Sequence, residues 1–352
     1  MQRSALIDIT KVLASQVIVL HHLVLYSPMS EWLTRGWPWL VAAMADHGRL
    51  AVQPFLVIGG FLAAQSVLGR RVGPLAAPLW QRYLRLVPQL AVALLLVMLA
   101  TALVGQHLRH VDWLSPQPSV TELLAHLLLL QDVLGVPSLS AGVWYVAIDL
   151  QLFALVLLLA RLSAPAGTTP RLLVLLALVG TLTALSLLWF SRQPGLDAWA
   201  IYFVGAYGLG MLAGLAQQQR TARLWLLVLL GLVLLQALWE PRLRPLLAGL
   251  MALALLALAA RPWPQRWPRL ASALRYLSDI SYSVFVCHFA VIILFSGWWH
   301  WQGAGGQSQA VFWAWLAWLA CVLVGAAVQV LIDRHRAWTR RLRLWRTALS
   351  SR

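Results

Sequence analysis

Residues 6–26 read LIDITKVLASQVIVLHHLVLY. The run is long enough to cross a bilayer, which takes about 20 apolar residues. Yet it contains Asp8, Lys11, His21 and His22, and an ionisable group inside a span is costly enough to demand a reason. Asp8 and Lys11 interrupt the run where a secretory signal would be uniformly apolar, and no small-residue cleavage site follows. The segment is therefore expected to remain as a helix.

The remainder of the chain repeats this pattern. Of 352 residues, 61% are hydrophobic and 11% charged, and the mean hydropathy is +0.76. A soluble domain carries about 25% charged residues, so an ordinary water-soluble fold is excluded, as is disorder. Ten apolar runs of spanning length lie at 6–26, 49–69, 86–105, 143–161, 171–190, 199–217, 223–239, 244–260, 276–296 and 308–332. An insertion, 106–142, separates the third from the fourth. It holds an apolar stretch at 123–130, too short to span, and the helix breakers Pro116, Pro118 and Pro137. The expected fold is all-α, a polytopic bundle of about ten transmembrane helices over residues 1–333, followed by a basic cytoplasmic tail, 334–352. Cys287 and Cys321 lie inside apolar runs and read as small buried hydrophobes, not as a disulfide.

The net charge of +16 comes from 26 arginines and one lysine, Lys11, against 11 acids. Nucleic-acid binding needs such charge gathered on one soluble face. Here it punctuates the apolar runs, so no nucleic-acid partner is expected. With both termini cytoplasmic, twenty arginines fall on inner segments. Only Arg35, Arg49, Arg109, Arg192, Arg242 and Arg244 fall outside. That asymmetry follows the positive-inside rule.

Helical geometry sorts the polar residues. Lys11 and His22 are eleven positions apart, which leaves them about 20° apart in azimuth and about 16 Å apart along the axis. Asp8 and Ser15 fall on the same stripe, while His21 is turned away. Asp8 and Lys11 read two ways, as part of a functional stripe or as a local i,i+3 ion pair. Arg82 and Arg85 share a face at the start of the third span, where a helix N-terminus also favours anions. They read either as a phosphate clamp or as an ordinary basic flank. The fourth span opens with Trp144 and Tyr145 and carries Asp149. The ninth carries Ser281 and Tyr282, then His288 about two turns further out. Trp298, Trp299 and Trp301 suit an outer aromatic belt.

In order, these segments resemble the acyltransferase 3 family of integral membrane O-acyltransferases, which modify surface carbohydrates in many bacteria. A basic residue, ten positions and a histidine appear as Lys11 to His22. Phe55-Leu-Val-Ile-Gly-Gly-Phe61-Leu62 is similar to the family's aromatic–Ser–Gly–Phe stretch. Arg82 and Arg85 form its Arg-x-x-Arg pair, followed by Pro88. Trp144, Asp149, Gln151 and Phe153 match its tryptophan–acid–Gln–aromatic segment, and 280–288 (ISYSVFVCH) matches its Ser-Tyr-Ser–aromatic–His segment. Three positions depart from the usual pattern: Gly59 stands for Ser, Asp149 for Glu, and Lys11 for the more frequent Arg.

The resemblance implies transfer of an acyl group, usually acetyl, from acyl-CoA to a hydroxyl of a carbohydrate or lipid-linked glycan, without a metal, in a bacterial cytoplasmic membrane. It casts His22 as the base, with Asp149 and His288 as catalytic companions. Lys11, Arg82 and Arg85 would hold the CoA phosphates. Trp144, Tyr145, Ser281 and Tyr282 would face the acceptor. The competing class is a transporter or flippase for a sugar or lipid, whose path would also need intramembrane polar residues. Against it, no inverted repeat is visible.

Overall fold

The computed structural model describes residues 3–68, 75–108, 111, 113–164, 168–261, 263, 266–303 and 305–350. Among these residues all regular structure is helical. The order is α1 (Ala5–Tyr26), α2 (Ser30–Gly36), α3 (Pro38–His47), α4 (Val52–Leu68), α5 (Ala76–Gly105), α6 (Val120–Leu127), α7 (Val143–Leu162), α8 (Thr168–Leu188), α9 (Ala200–Ala216), α10 (Arg220–Trp239), α11 (Leu243–Leu258), α12 (Pro268–Trp301) and α13 (Gln307–Ser350). The expected boundary at 333/334 falls inside α13, which runs on without a break.

Each of the ten predicted runs coincides with a helix. Seven are long and apolar enough to cross a membrane: α1, α5, α7, α8, α10, α12 and α13. Two others, α9 and α11, have 17 and 16 residues, or about 25 Å of helix, and α4 is described over Val52–Leu68. A bilayer core is about 30 Å thick. Helix α9 tolerates the shortfall because fifteen of its residues are buried against other helices.

Small residues make that sheathing possible. Helix α9 reads AIYFVGAYGLGMLAGLA. A Cβ added at Gly214 would lie 2.8 Å from both the Ala64 Cβ and the Phe61 carbonyl oxygen of α4, and one at Gly60 would strike the α9 backbone at Tyr207. The two backbones therefore meet directly, the device by which membrane helices gain packing without a hydrophobic drive. Around this crossing Leu56, Phe61, Ile148, Leu152, Leu209 and Met211 are fully buried. The opposite surfaces are apolar too. Leu224, Leu227, Leu234 and Leu238 stand exposed along α10, as a lipid-facing helix requires.

The described part of the insertion packs along α5, with Gln117 donating to the Met98 carbonyl at 3.2 Å. Ser119 and Glu122 close a capping box on α6. The fully buried His126 uses Nδ1 on the Glu122 carbonyl (2.7 Å) and accepts the Leu139 N–H at Nε2 (3.1 Å). Tyr83 of α5 donates to the Leu127 carbonyl at 3.0 Å.

Candidate active site

Helices α1 and α12 pack side by side and bring two histidines from opposite ends of the sequence together. His22 Nδ1 lies 2.6 Å from His288 Nε2. The ring planes differ by only 7° with centroids 4.9 Å apart. With the contacting nitrogens between the centroids, the rings lie edge to edge in nearly one plane. His288 Nδ1 lies 2.6 Å from the Phe285 carbonyl oxygen. A carbonyl only accepts, so His288 Nδ1 carries a proton. In a neutral ring its Nε2 is then the acceptor, and His22 Nδ1 must be the donor. The chain Phe285–His288–His22 leaves the lone pair on His22 Nε2. His21 takes no part: its Nδ1 meets the Met44 carbonyl at 2.7 Å, as its azimuth implied.

Asp149 does not contact the histidines. Arg82 of α5 holds it in a two-pronged pair, Nε to Oδ2 at 3.0 Å and Nη2 to Oδ1 at 2.6 Å, with the Asp149 side chain only 7% exposed. The guanidinium also lies over Phe153, 5.3 Å from its centroid. An aromatic wall of Phe55, Tyr145 and Phe285 stands beside the pair, with Tyr145 5.3 Å from Phe285 and 6.0 Å from Phe55 between centroids. Phe285 also supplies the carbonyl that fixes His288, so wall and dyad share a residue. Tyr207 points its buried hydroxyl into this region with no hydrogen-bond partner among the described residues. Tyr282 donates to the Leu86 carbonyl at 2.9 Å and Ser281 to the Ser278 carbonyl at 2.8 Å, so their donors are spent on backbone. Trp144 lies beneath Arg49, 5.0 Å from guanidinium to centroid.

At the N-terminal end of α1 the local Asp8–Lys11 pair is not formed. Asp8 is taken by Arg3, whose Nε lies 3.0 and 2.8 Å from the two carboxylate oxygens, and by the Trp263 indole at 3.0 Å. Arg3 reaches on to Asp279 of α12 at 2.8 Å. These contacts, the Asp8 hydrogen bond above all, raise the Arg3 pKa above its ordinary value. Arg3 thus staples α1 to α12, the two helices that carry the histidines. Lys11, partly buried, makes no hydrogen bond or ion pair to a described residue. Arg85 is exposed; its backbone carbonyl accepts from Arg336 at 3.1 Å, and its side chain has no ion-pair partner among the described residues. Arg82 and Arg85, grouped by spacing, therefore separate: one faces Asp149, the other the surface.

A family model described as an acyltransferase domain matches residues 5–334. The chain belongs to the acyltransferase 3 family. The match takes in both histidines, the Arg82–Asp149 pair and Lys11. No curated protein and no solved structure matches the chain.

Several residues that shape this membrane acyltransferase escape a sequence reading. Trp263 meets Asp8, and Asp279 meets Arg3, across more than 250 residues, a separation that leaves no periodic trace. The Phe285 carbonyl is different. It lies one helical turn before His288, a spacing that places it within reach of the imidazole from the sequence alone.

Proposed function

We propose that this acyltransferase moves an acyl group, with acetyl the family default, from acyl-CoA to a hydroxyl of a carbohydrate or lipid-linked glycan. The hydrogen-bond chain from the Phe285 carbonyl through His288 to His22 carries the reading. It presents a neutral imidazole with its free lone pair on a defined atom, as a general base requires. The acceptor hydroxyl gives its proton to His22 Nε2 while its oxygen attacks the thioester carbonyl. The C–O bond forms, the C–S bond breaks, and the proton passes from His22 to the departing CoA thiolate. His288 is a positioning residue: it fixes the His22 tautomer and accepts from the imidazolium that forms.

The donor enters from the cytoplasmic side, where the chain's basic loops lie under the positive-inside orientation. Lys11 and Arg85 hold its phosphates, their charges unspent on any described carboxylate. Arg82 adds the Nη1 edge that Asp149 leaves over. Asp149 acts through Arg82, orienting the guanidinium, and not on His22. Trp144, beneath Arg49, and Tyr145, in the aromatic wall beside Phe285, meet the acceptor. The membrane is the bacterial cytoplasmic membrane.

Membranes supplied with labelled acetyl-CoA and a glycan acceptor test this. His22→Ala abolishes transfer in folded protein; undiminished transfer would sink the mechanism. His288→Leu lowers the rate by about 10- to 100-fold, the usual penalty for losing an orienting partner, and shifts the pH–rate profile, while His288→Gln keeps an acceptor oxygen and recovers part of the loss. Arg85→Ala weakens CoA binding; unchanged affinity returns that arginine to a purely topological role. Thermal stabilisation of the purified protein by CoA separates an acyltransferase from a carrier.

A further inference from the structure

Six arginines oppose the positive-inside rule, and four of them converge. Arg49 follows α3, Arg192 follows α8, and Arg242 and Arg244 open α11. Burial, then the charge of Arg244, push the Arg49 guanidinium down from its ordinary value, and burial, then Arg192, do the same to Arg242. Arg49 and Arg244 thus feel one another's charge, as do Arg242 and Arg192, and Arg242 and Arg244 line one cleft with Ser191. Only Arg192 has an ion-pair partner, Glu240 at 2.5 Å. Arg242 donates to the Ser191 carbonyl at 2.8 Å and Arg244 to the Tyr202 hydroxyl at 3.0 Å. Arg49 lies over Trp144. Among the described residues no carboxylate comes within ion-pair distance of Arg49, Arg242 or Arg244. Asp197 and Glu240 act on them only at longer range.

The cluster adjoins the dyad. A Cβ added at Gly48 would lie 2.5 Å from the His21 Cβ, so the turn bearing Arg49 sits against the neighbour of His22. Trp144, Phe203 and Tyr202 form a continuous aromatic shelf, with centroids 5.6 and 4.8 Å apart. Arg49 stands at one end of it and Arg244 at the other. A cleft of about 350 Å³ counted to its mouth opens beside Tyr202, Gln53, Ser191, Arg242 and Arg244. Room inside it for water-sized groups is only about 30 Å³, so a larger ligand docks at the mouth.

We infer that the acceptor carries a phosphate or carboxylate, and that this anion docks on Arg49, Arg242 and Arg244 while the aromatic shelf leads its hydroxyl to His22. This rests on the acyltransferase reading of the dyad and adds the charge class of the acceptor. Planar guanidiniums take both anions in two-pronged hydrogen bonds. Uncompensated like charges on the face where arginine is disfavoured are accounted for by a ligand that neutralises them.

The test uses the full chain in vesicles of zwitterionic lipid alone, with labelled acetyl-CoA and three matched oligosaccharides: neutral, with one uronate, and with one phosphate. The charged acceptors are expected to show about tenfold higher kcat/KM, the worth of one charge-assisted hydrogen bond. Arg244→Gln brings the ratio of charged to neutral close to one, and Arg49→Gln provides the same comparison if the first variant does not fold. Arg35→Gln, on α2 against Trp32 and away from the cluster, keeps the ratio. Equal kcat/KM for all three acceptors, or a preference that survives Arg244→Gln and Arg49→Gln, overturns the inference. So does a preference that appears only when anionic lipid is added, since the cluster would then bind lipid headgroups. Silence with every acceptor contradicts the acyltransferase reading instead, and the inference falls with it.

Discussion

At the scale of single residues, the decisive facts are which charges found partners. Spacing singled out Arg82 and Asp149 separately, but 67 positions separate them and no periodicity joins them. Only packing of α5 on α7 does. The pair is buried, so removing one partner strands the other. Arg82→Ala is expected to cost about 3–5 kcal/mol, and thermal unfolding in detergent should show Arg82→Ala with Asp149→Ala costing less than the two single changes summed. An additive result would mean the pair is not coupled. Asp8 and Lys11 teach the converse. Their i,i+3 spacing allowed a local pair, yet Arg3 takes Asp8 instead, because its Nε–H reaches both carboxylate oxygens while Nη1 and Nη2 hold Asp279. Tyr207 is a third case. Its buried hydroxyl has no partner among the described residues, and such a group costs about 1–3 kcal/mol. Tyr207→Phe should therefore leave the ligand-free protein at least as stable as the wild type. A fall in Tm would reveal a missed partner.

At the scale of elements, hydropathy alone located every predicted span, because a helix in lipid must be apolar on its outer face as well as its inner one. The depth and sheathing of each helix were not legible. Helices α9 and α11 looked like ordinary spans, and the shortness of α9 makes sense only once it is seen enclosed. The glycines of α9 hinted at close packing, but their partner, α4, could not be read from one strand of sequence. Gly214→Val would drive side-chain atoms into Ala64 and the Phe61 carbonyl. Overpacking of this kind typically costs about 1–3 kcal/mol, so thermal unfolding should show a clear drop in Tm. A neutral result would mean the α4–α9 contact is not as tight as the structure has it. Helix α6 was legible in principle, since Ser119 and Glu122 stand at capping-box spacing.

At the scale of the whole molecule, the positive-inside count and the proposed mechanism both assign the two ends of the bundle to opposite sides of the membrane. The positive-inside count predicts that a membrane-impermeant thiol reagent labels Thr34→Cys from outside intact cells and Gln218→Cys only after permeabilisation. Native Cys287 and Cys321, both buried, provide a low background. Reversed labelling would invert the donor and acceptor sides. Both histidines of the site were visible in the sequence, one on the first helix and one on the twelfth, but their meeting depends on α1 lying parallel to α12, held by Arg3 at one end. That meeting is the central claim, and acyl transfer in reconstituted vesicles tests it most directly. Wild-type protein, His22→Ala and His288→Leu, each confirmed as folded by its melting transition, are compared with labelled acetyl-CoA and a glycan acceptor. The account predicts no transfer above background for His22→Ala and a rate at least about tenfold below wild type for His288→Leu. Wild-type rates from either folded variant would contradict it.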